Sequence, residues 1–217
     1  MASSIMHIAV ADQLYKKINK KININYYDYI LGSIAPDISK SIGEKREKSH
    51  FLDGYQSLPN IDKFLTKYYD TLNNSFNLGY FIHLYTDKLF YRDYYPLFIH
   101  DDFLESNIKF LDGKIIKLTL DERRDILYND YINLDKILID EYKLSLDLFY
   151  NDFIVPDTTL DEIPINQLNI LIDNASILIQ NLNKNKINVI DISSIKSFID
   201  DSVEEIYTKL ISLKVIW

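Results

Sequence analysis

Between residues 4 and 19, Ile8, Ala11, Leu14, Tyr15 and Ile18 recur at spacings of three and four, which predicts a helix that Ser3 or Ser4 can cap. His7 shares the stripe of Ala11, Leu14 and Ile18. A second helix is predicted over 26–33 and should stop near Ala35, because Pro36 disfavours helical backbone in the residue before it; Asp37 then lies just beyond. Residues 40–48 are polar and charged and read as a loop delivering Ser49, His50 and Phe51. Leu58, Pro59 and Asn60 introduce a helix whose apolar face is Ile61, Phe64, Leu65, Tyr68 and Leu72. A longer helix, capped by Asn74 or Ser75, is predicted to run to about residue 95, with Phe76, Tyr80, His83, Asp87, Tyr91 and Tyr94 sharing one face.

Past Pro96 the period changes. Residues 108–118 alternate weakly around Asp112-Gly113, a dipeptide that favours tight turns, and predict one small hairpin. Helical period returns from 121 to about 150, where Ile126, Asp130, Leu134, Ile137 or Leu138, and Glu141 fall on one face. Pro156 and Pro164 interrupt the chain before predicted helices near 167–182 and 192–213. The pattern as a whole predicts an all-α fold: a multi-helix bundle, one domain over 1–217, with a single hairpin.

Composition agrees with that picture and narrows the chemistry. A chain of 217 residues can bury a full core as one domain, and 47% hydrophobic residues lie far from the signature of disorder. Five Gly and five Pro leave room for long uninterrupted helices, and the wealth of Ile, Asn, Lys and Tyr fits an AT-rich coding genome. With no Cys, thiolate zinc sites are excluded, so any metal must be held by imidazole and carboxylate. A formal charge of -8 opposes an extended nucleic-acid groove, which needs clustered Lys and Arg. The first ten residues lack the pattern of a signal peptide and no run reaches membrane-spanning length, so the expectation is a cytoplasmic protein acting on a small molecule.

Three of the four histidines occupy positions suited to metal ligands: His7 in the first helix, His50 after the Pro-Asp turn, and His83 one helical turn before Asp87. Residues four apart on a helix share a side, so His83 and Asp87 can chelate one ion. Taken alone, such a pair is more often a buried ion pair or hydrogen bond. The competing reading of the whole set is a polar network in which His7 and His50 bond buried hydroxyls of some of the 17 tyrosines. Lys45, Arg46 and Lys48 beside His50 read as a solvated charge run, steering of a phosphate being the other reading.

The stretch Tyr29-Ile30-Leu31-Gly32-Ser33-Ile34-Ala35-Pro36-Asp37, then Ser49-His50-Phe51, then Leu78-Gly79-Tyr80-Phe81-Ile82-His83 through Asp87 resembles the zinc-dependent phospholipase C family. Single-strand-specific fungal zinc nucleases share its helical fold. The likeness runs from about His7 to Asp93 and rests on the order of the motifs. It implies that Asp37, His50, His83 and Asp87 form one zinc site, with Asp87 bridging to a second ion held partly by His7. The sequence departs from the family in two places. There, an N-terminal tryptophan completes the second site, whereas six residues precede His7 here and no tryptophan is near. The family's third ion uses a histidine where this chain has Asp93, and no later His-x-x-x-Glu exists.

Asp93, His100 and Asp130 are the candidate substitutes for that third site. Each has a plain alternative: Asp93 as a solvated partner of Arg92, His100 as a loop residue, and Asp130 as a hydrogen-bond partner of Tyr80 or His83. The resemblance implies hydrolysis of a phosphoester with one or two zinc ions, Asp37 serving as ligand and general base. A non-catalytic helical binding protein with a structural metal is the first alternative. A nuclease acting on short single strands is the second, and the net acidity counts against it.

Overall fold

The first helix, α1 (Ser4–Ile18), is buried along most of its length: Ile5, Met6, Ile8, Ala9, Val10, Ala11, Leu14 and Ile18 are all covered, and Ser3 caps it by accepting from the Met6 amide. A helix covered on every side sits at the centre of a bundle. The computed structural model describes residues 2–54, 57–101, 105–180 and 186–217. It is predominantly helical, with one small antiparallel sheet. Around α1 pack α2 (Tyr26–Ile34), α6 (Ser75–Leu89), α7 (Leu120–Tyr142) and α9 (Ile192–Ser212). Between α2 and α6 come two single turns, α3 (Ile38–Ser41) and α4 (Arg46–Ser49), and then α5 (Ile61–Tyr68), capped by Asn60; α8 (Leu168–Gln180) lies between α7 and α9 in sequence.

The most intimate pairing is α2 on α6, and its cause is two glycines. A Cβ at Gly32 would lie 2.2 Å from the Phe76 carbonyl oxygen, and one at Gly79 would lie 2.1 Å from that of Tyr29. Glycine in a helix interior costs about 1 kcal/mol relative to alanine. Here it lets two backbones touch, and that contact brings the Ser33 carbonyl of α2 up to His83 of α6. The Tyr29 hydroxyl, donating to the Ala11 carbonyl at 2.9 Å, ties α2 to α1 in the same way.

Several predicted boundaries move. The helix before Pro36 ends at Ile34, but the chain does not leave helical geometry: a 3₁₀ turn, Ala35–Asp37, carries Pro36 in its first turn, where a missing N–H is no loss, and feeds α3. The stretch 40–48 is consequently not one loop, since α3 ends and α4 begins inside it. The run predicted to about 95 is α6 followed by a π turn, Phe90–Tyr94. The helix predicted to about 150 ends at Tyr142, because Lys143 adopts left-handed backbone with φ +50° and closes it through a bond to Ile139. The hairpin forms as expected, β2 (Glu105–Lys109) with β3 (Ile115–Thr119), and gains a third strand, β1 (Ile99–Asp101), on β2. The predicted helix end at Leu182 lies outside the described residues. Among those described, no helix is long and apolar enough to cross a membrane.

Candidate metal centre

His7, Asp37, His50, His83 and Asp87 come from four segments and converge, all buried. α1 contributes His7, whose ring stacks on that of His83 with centroids 3.8 Å apart. The 3₁₀ turn after α2 contributes Asp37. His50 ends α4, and its placement depends on Phe51, which takes the left-handed conformation, φ +53°, that normally calls for glycine. The amides of Phe51 and Leu52 bond back to Lys48 and Glu47, closing the turn, while the Phe51 ring packs edge-on against Phe64, Tyr68 and Tyr80. Packing of a large aromatic ring offsets the strain of its backbone. His83 and Asp87 stand one turn apart on α6, as their spacing predicts.

The donor atoms form two overlapping triads, Asp37 with His50 and His83, and His7 with His83 and Asp87; within each triad the ligand atoms lie within 4.8 Å of one another. His50 Nε2 is 3.3 Å from Asp37 Oδ1 and 3.2 Å from His83 Nε2, and His7 Nε2 is 3.4 Å from Asp87 Oδ1. Two ligands each about 2.0–2.1 Å from a tetrahedral zinc stand roughly 3.3 Å apart, so these spacings are those of a coordination shell. His83 Nδ1 meets the Ser33 carbonyl at 2.8 Å. His50 Nδ1 meets the Ser49 hydroxyl at 2.8 Å, and the same hydroxyl lies within hydrogen-bond reach of the Ser39 hydroxyl and the Arg46 carbonyl. His83 Nδ1 donates to the Ser33 carbonyl, so its Nε2 lone pair is bare and faces His50 Nε2, an arrangement a cation between the two rings would stabilise.

The accounting of buried polar atoms points the same way. His7 Nδ1 and Nε2, Asp37 Oδ1 and Asp87 Oδ1 are buried with no hydrogen-bond partner. Such atoms are expensive unless something else satisfies them, and imidazole nitrogens and carboxylate oxygens are the hard and borderline donors that zinc accepts. The residues present therefore fit a divalent ion. Burial pushes the His83 imidazole down to about 3, with the neighbouring His7 ring adding to the effect, so His83 is neutral and available as a ligand at pH 7. Burial by itself would raise both carboxyls; the His50, His83 and His7 rings outweigh it at Asp37, and His7, His83 and Arg46 outweigh it at Asp87, so both are held below the ordinary carboxylate range.

Arg46 is the residue that sequence reasoning placed wrongly. Its guanidinium Nη2 donates to Asp87 Oδ2 at 2.7 Å, and Tyr91 lies beside it. In place of a solvated run, Arg46 reaches into the centre while Lys48 donates to the Asp161 carbonyl. Its inward turn depends on the single helical turn that Arg46 starts and His50 ends, within a stretch whose sequence reads as a loop. The other candidates do not join either triad. Asp93 is exposed and pairs with Arg92. His100 is an exposed residue of β1, opposite Asn107. Asp130 is buried and accepts the amides of Asn188, Val189 and Ile190, so it pins that segment to α7 and bonds neither Tyr80 nor His83. Tyr80 donates instead to the Ser49 carbonyl. Among the described residues no tyrosine hydroxyl bonds His7 or His50, which removes the form of the polar-network reading considered above.

A cleft of about 520 Å³ opens beside the centre, with Asp37 in its wall. Tyr91, Tyr95, Tyr128 and Tyr131 line it with apolar side chains of α7 and α8, together with Lys40 and with Arg123 and Arg124, which pair with Asp101 and Asp121. Residues 6–90, the segment that carries all five converging side chains, match the family model described as zinc dependent phospholipase C. No curated protein and no solved structure is matched by the chain.

Proposed function

Because residues 6–90 match the family model described as zinc dependent phospholipase C, we propose that the protein is a metal-dependent hydrolase of a small phosphoester, a phosphodiester or phosphomonoester. The observation that carries this reading is the convergence of buried His and Asp donors at coordination spacing, several of their atoms without a hydrogen-bond partner, beside a cleft that Asp37 lines. A divalent ion held there supplies Lewis-acid polarisation of a phosphoryl oxygen and acidifies water to a pKa of about 7. His50 and His83 present Nε2 to it because Ser49 and the Ser33 carbonyl hold their other nitrogens. Asp37, the one of the five donors that lines the cleft, would help hold the ion and orient the attacking water. The cleft falls within the usual range of about 300–1,000 Å³ for small-molecule sites, and its tyrosines and cations suit a phosphate ester with an organic leaving group.

The test compares protein as purified, stripped with chelator and reloaded with zinc, on bis(p-nitrophenyl) phosphate, p-nitrophenyl phosphate, a phospholipid headgroup ester and a short oligonucleotide. Turnover of an aryl or headgroup ester that chelation abolishes and zinc restores is the expected result. Chelator-insensitive turnover would contradict it. Metal-loaded protein inert on every substrate would favour the non-catalytic binding protein, and turnover of the oligonucleotide alone would favour the nuclease.

A further inference from the structure

The two triads share His83, whose single Nε2 lone pair can serve one ion at a time, so the question is which triad holds it. Three observations separate them. In the Asp37 triad both imidazoles are anchored through Nδ1, on Ser49 and on the Ser33 carbonyl, so both rings are fixed in orientation. In the other, neither nitrogen of His7 has a partner, so nothing fixes its tautomer. Asp87 Oδ2 is already bound by a cation, the Arg46 guanidinium at 2.7 Å, which leaves that carboxylate only Oδ1 for an ion, whereas among the described residues no Lys or Arg pairs with Asp37.

Charge points to the same division. The Arg46 guanidinium places a fixed positive charge 2.7 Å from Asp87 Oδ2, inside the half of the cluster where a second ion would lie. A second dication would have to sit beside that guanidinium in a site buried from water, a large desolvation cost. We propose that the protein binds one divalent ion, at Asp37, His50 and His83, and that Arg46 takes the place of a second ion at Asp87. The inference rests on the metal-dependent reading above but concerns stoichiometry, which turnover does not report.

The experiment dialyses chelator-stripped full-length protein against buffered zinc and counts bound metal by mass spectrometry, with cobalt substitution to read the ligand field. About one equivalent is expected for the wild type and for Arg46→Lys, which keeps the charge, and about two for Arg46→Met. As a check independent of how Arg46→Met folds, Asp87→Asn should retain its ion with affinity within about tenfold of wild type, and Asp37→Asn should lose it. Two equivalents in the wild type with chelator-sensitive turnover intact would overturn the inference and leave the hydrolase standing. Loss of the single ion in Asp87→Asn but not in Asp37→Asn would also overturn it. Failure of the wild type to bind any ion would overturn both readings.

Discussion

His83 belongs to both triads: it stacks on His7, faces His50 at 3.2 Å and receives its orientation from Ser33. His83→Ala should therefore reduce zinc binding and phosphoester turnover together to background, measured by metal content and by the aryl ester assay. Retained zinc with lost turnover would contradict the ligand assignment. Ser49 tests the layer behind. Ser49→Ala removes the hydroxyl on His50 Nδ1 and should weaken zinc binding by about 10–100-fold, the usual cost of losing such a partner, with little change in helicity. An unchanged affinity would show that His50 does not need that anchor. At this scale the five donors were legible because helical spacing and motif order place them. Arg46 was not, because a charge run has no periodicity that distinguishes a side chain turned inward from one in solvent.

Among the elements, the α2–α6 contact sets the site, since a small separation of these helices would pull the Ser33 carbonyl off His83. Gly79→Ala gains about 1 kcal/mol of helix propensity but drives a methyl group into the Tyr29 carbonyl. Overpacking against backbone costs roughly 1–3 kcal/mol or more, so the net effect should be a lower denaturant midpoint and weaker zinc binding. A variant as stable as wild type would mean that the helices separate without cost. The positions of α1, α5, α6 and the hairpin could be read from hydrophobic period and caps. The end of α7 could not, because Lys143 adopts a conformation that its residue type gives no reason to expect. Nor could the third strand, whose three residues are too few for a period.

For the molecule as a whole, the two halves of the chain meet where Asp135 of α7 accepts the Ser3 hydroxyl at the start of α1, on the wall of the cleft. No pattern in a sequence couples positions so far apart. Burial pushes the Asp135 carboxyl up to about 7, against the opposing bond from Ser3. An acid with a raised folded pKa is protonated in the folded state while the unfolded chain has already ionised. Its contribution is then lost as pH rises from about 4 to about 7 and is constant above that. Asp135→Asn should thus gain stability relative to wild type across that window, with the difference levelling off near neutrality, as read from urea midpoints at several pH values. A difference independent of pH would contradict the raised carboxyl. The central claim, that the converging donors are a metal site serving a cleft, is tested most directly by anomalous diffraction at the zinc edge from crystals of zinc-loaded protein. The account predicts an anomalous peak about 2 Å from His50 Nε2, His83 Nε2 and an Asp37 oxygen; peaks confined to surface carboxylates, with these side chains turned apart, would contradict it.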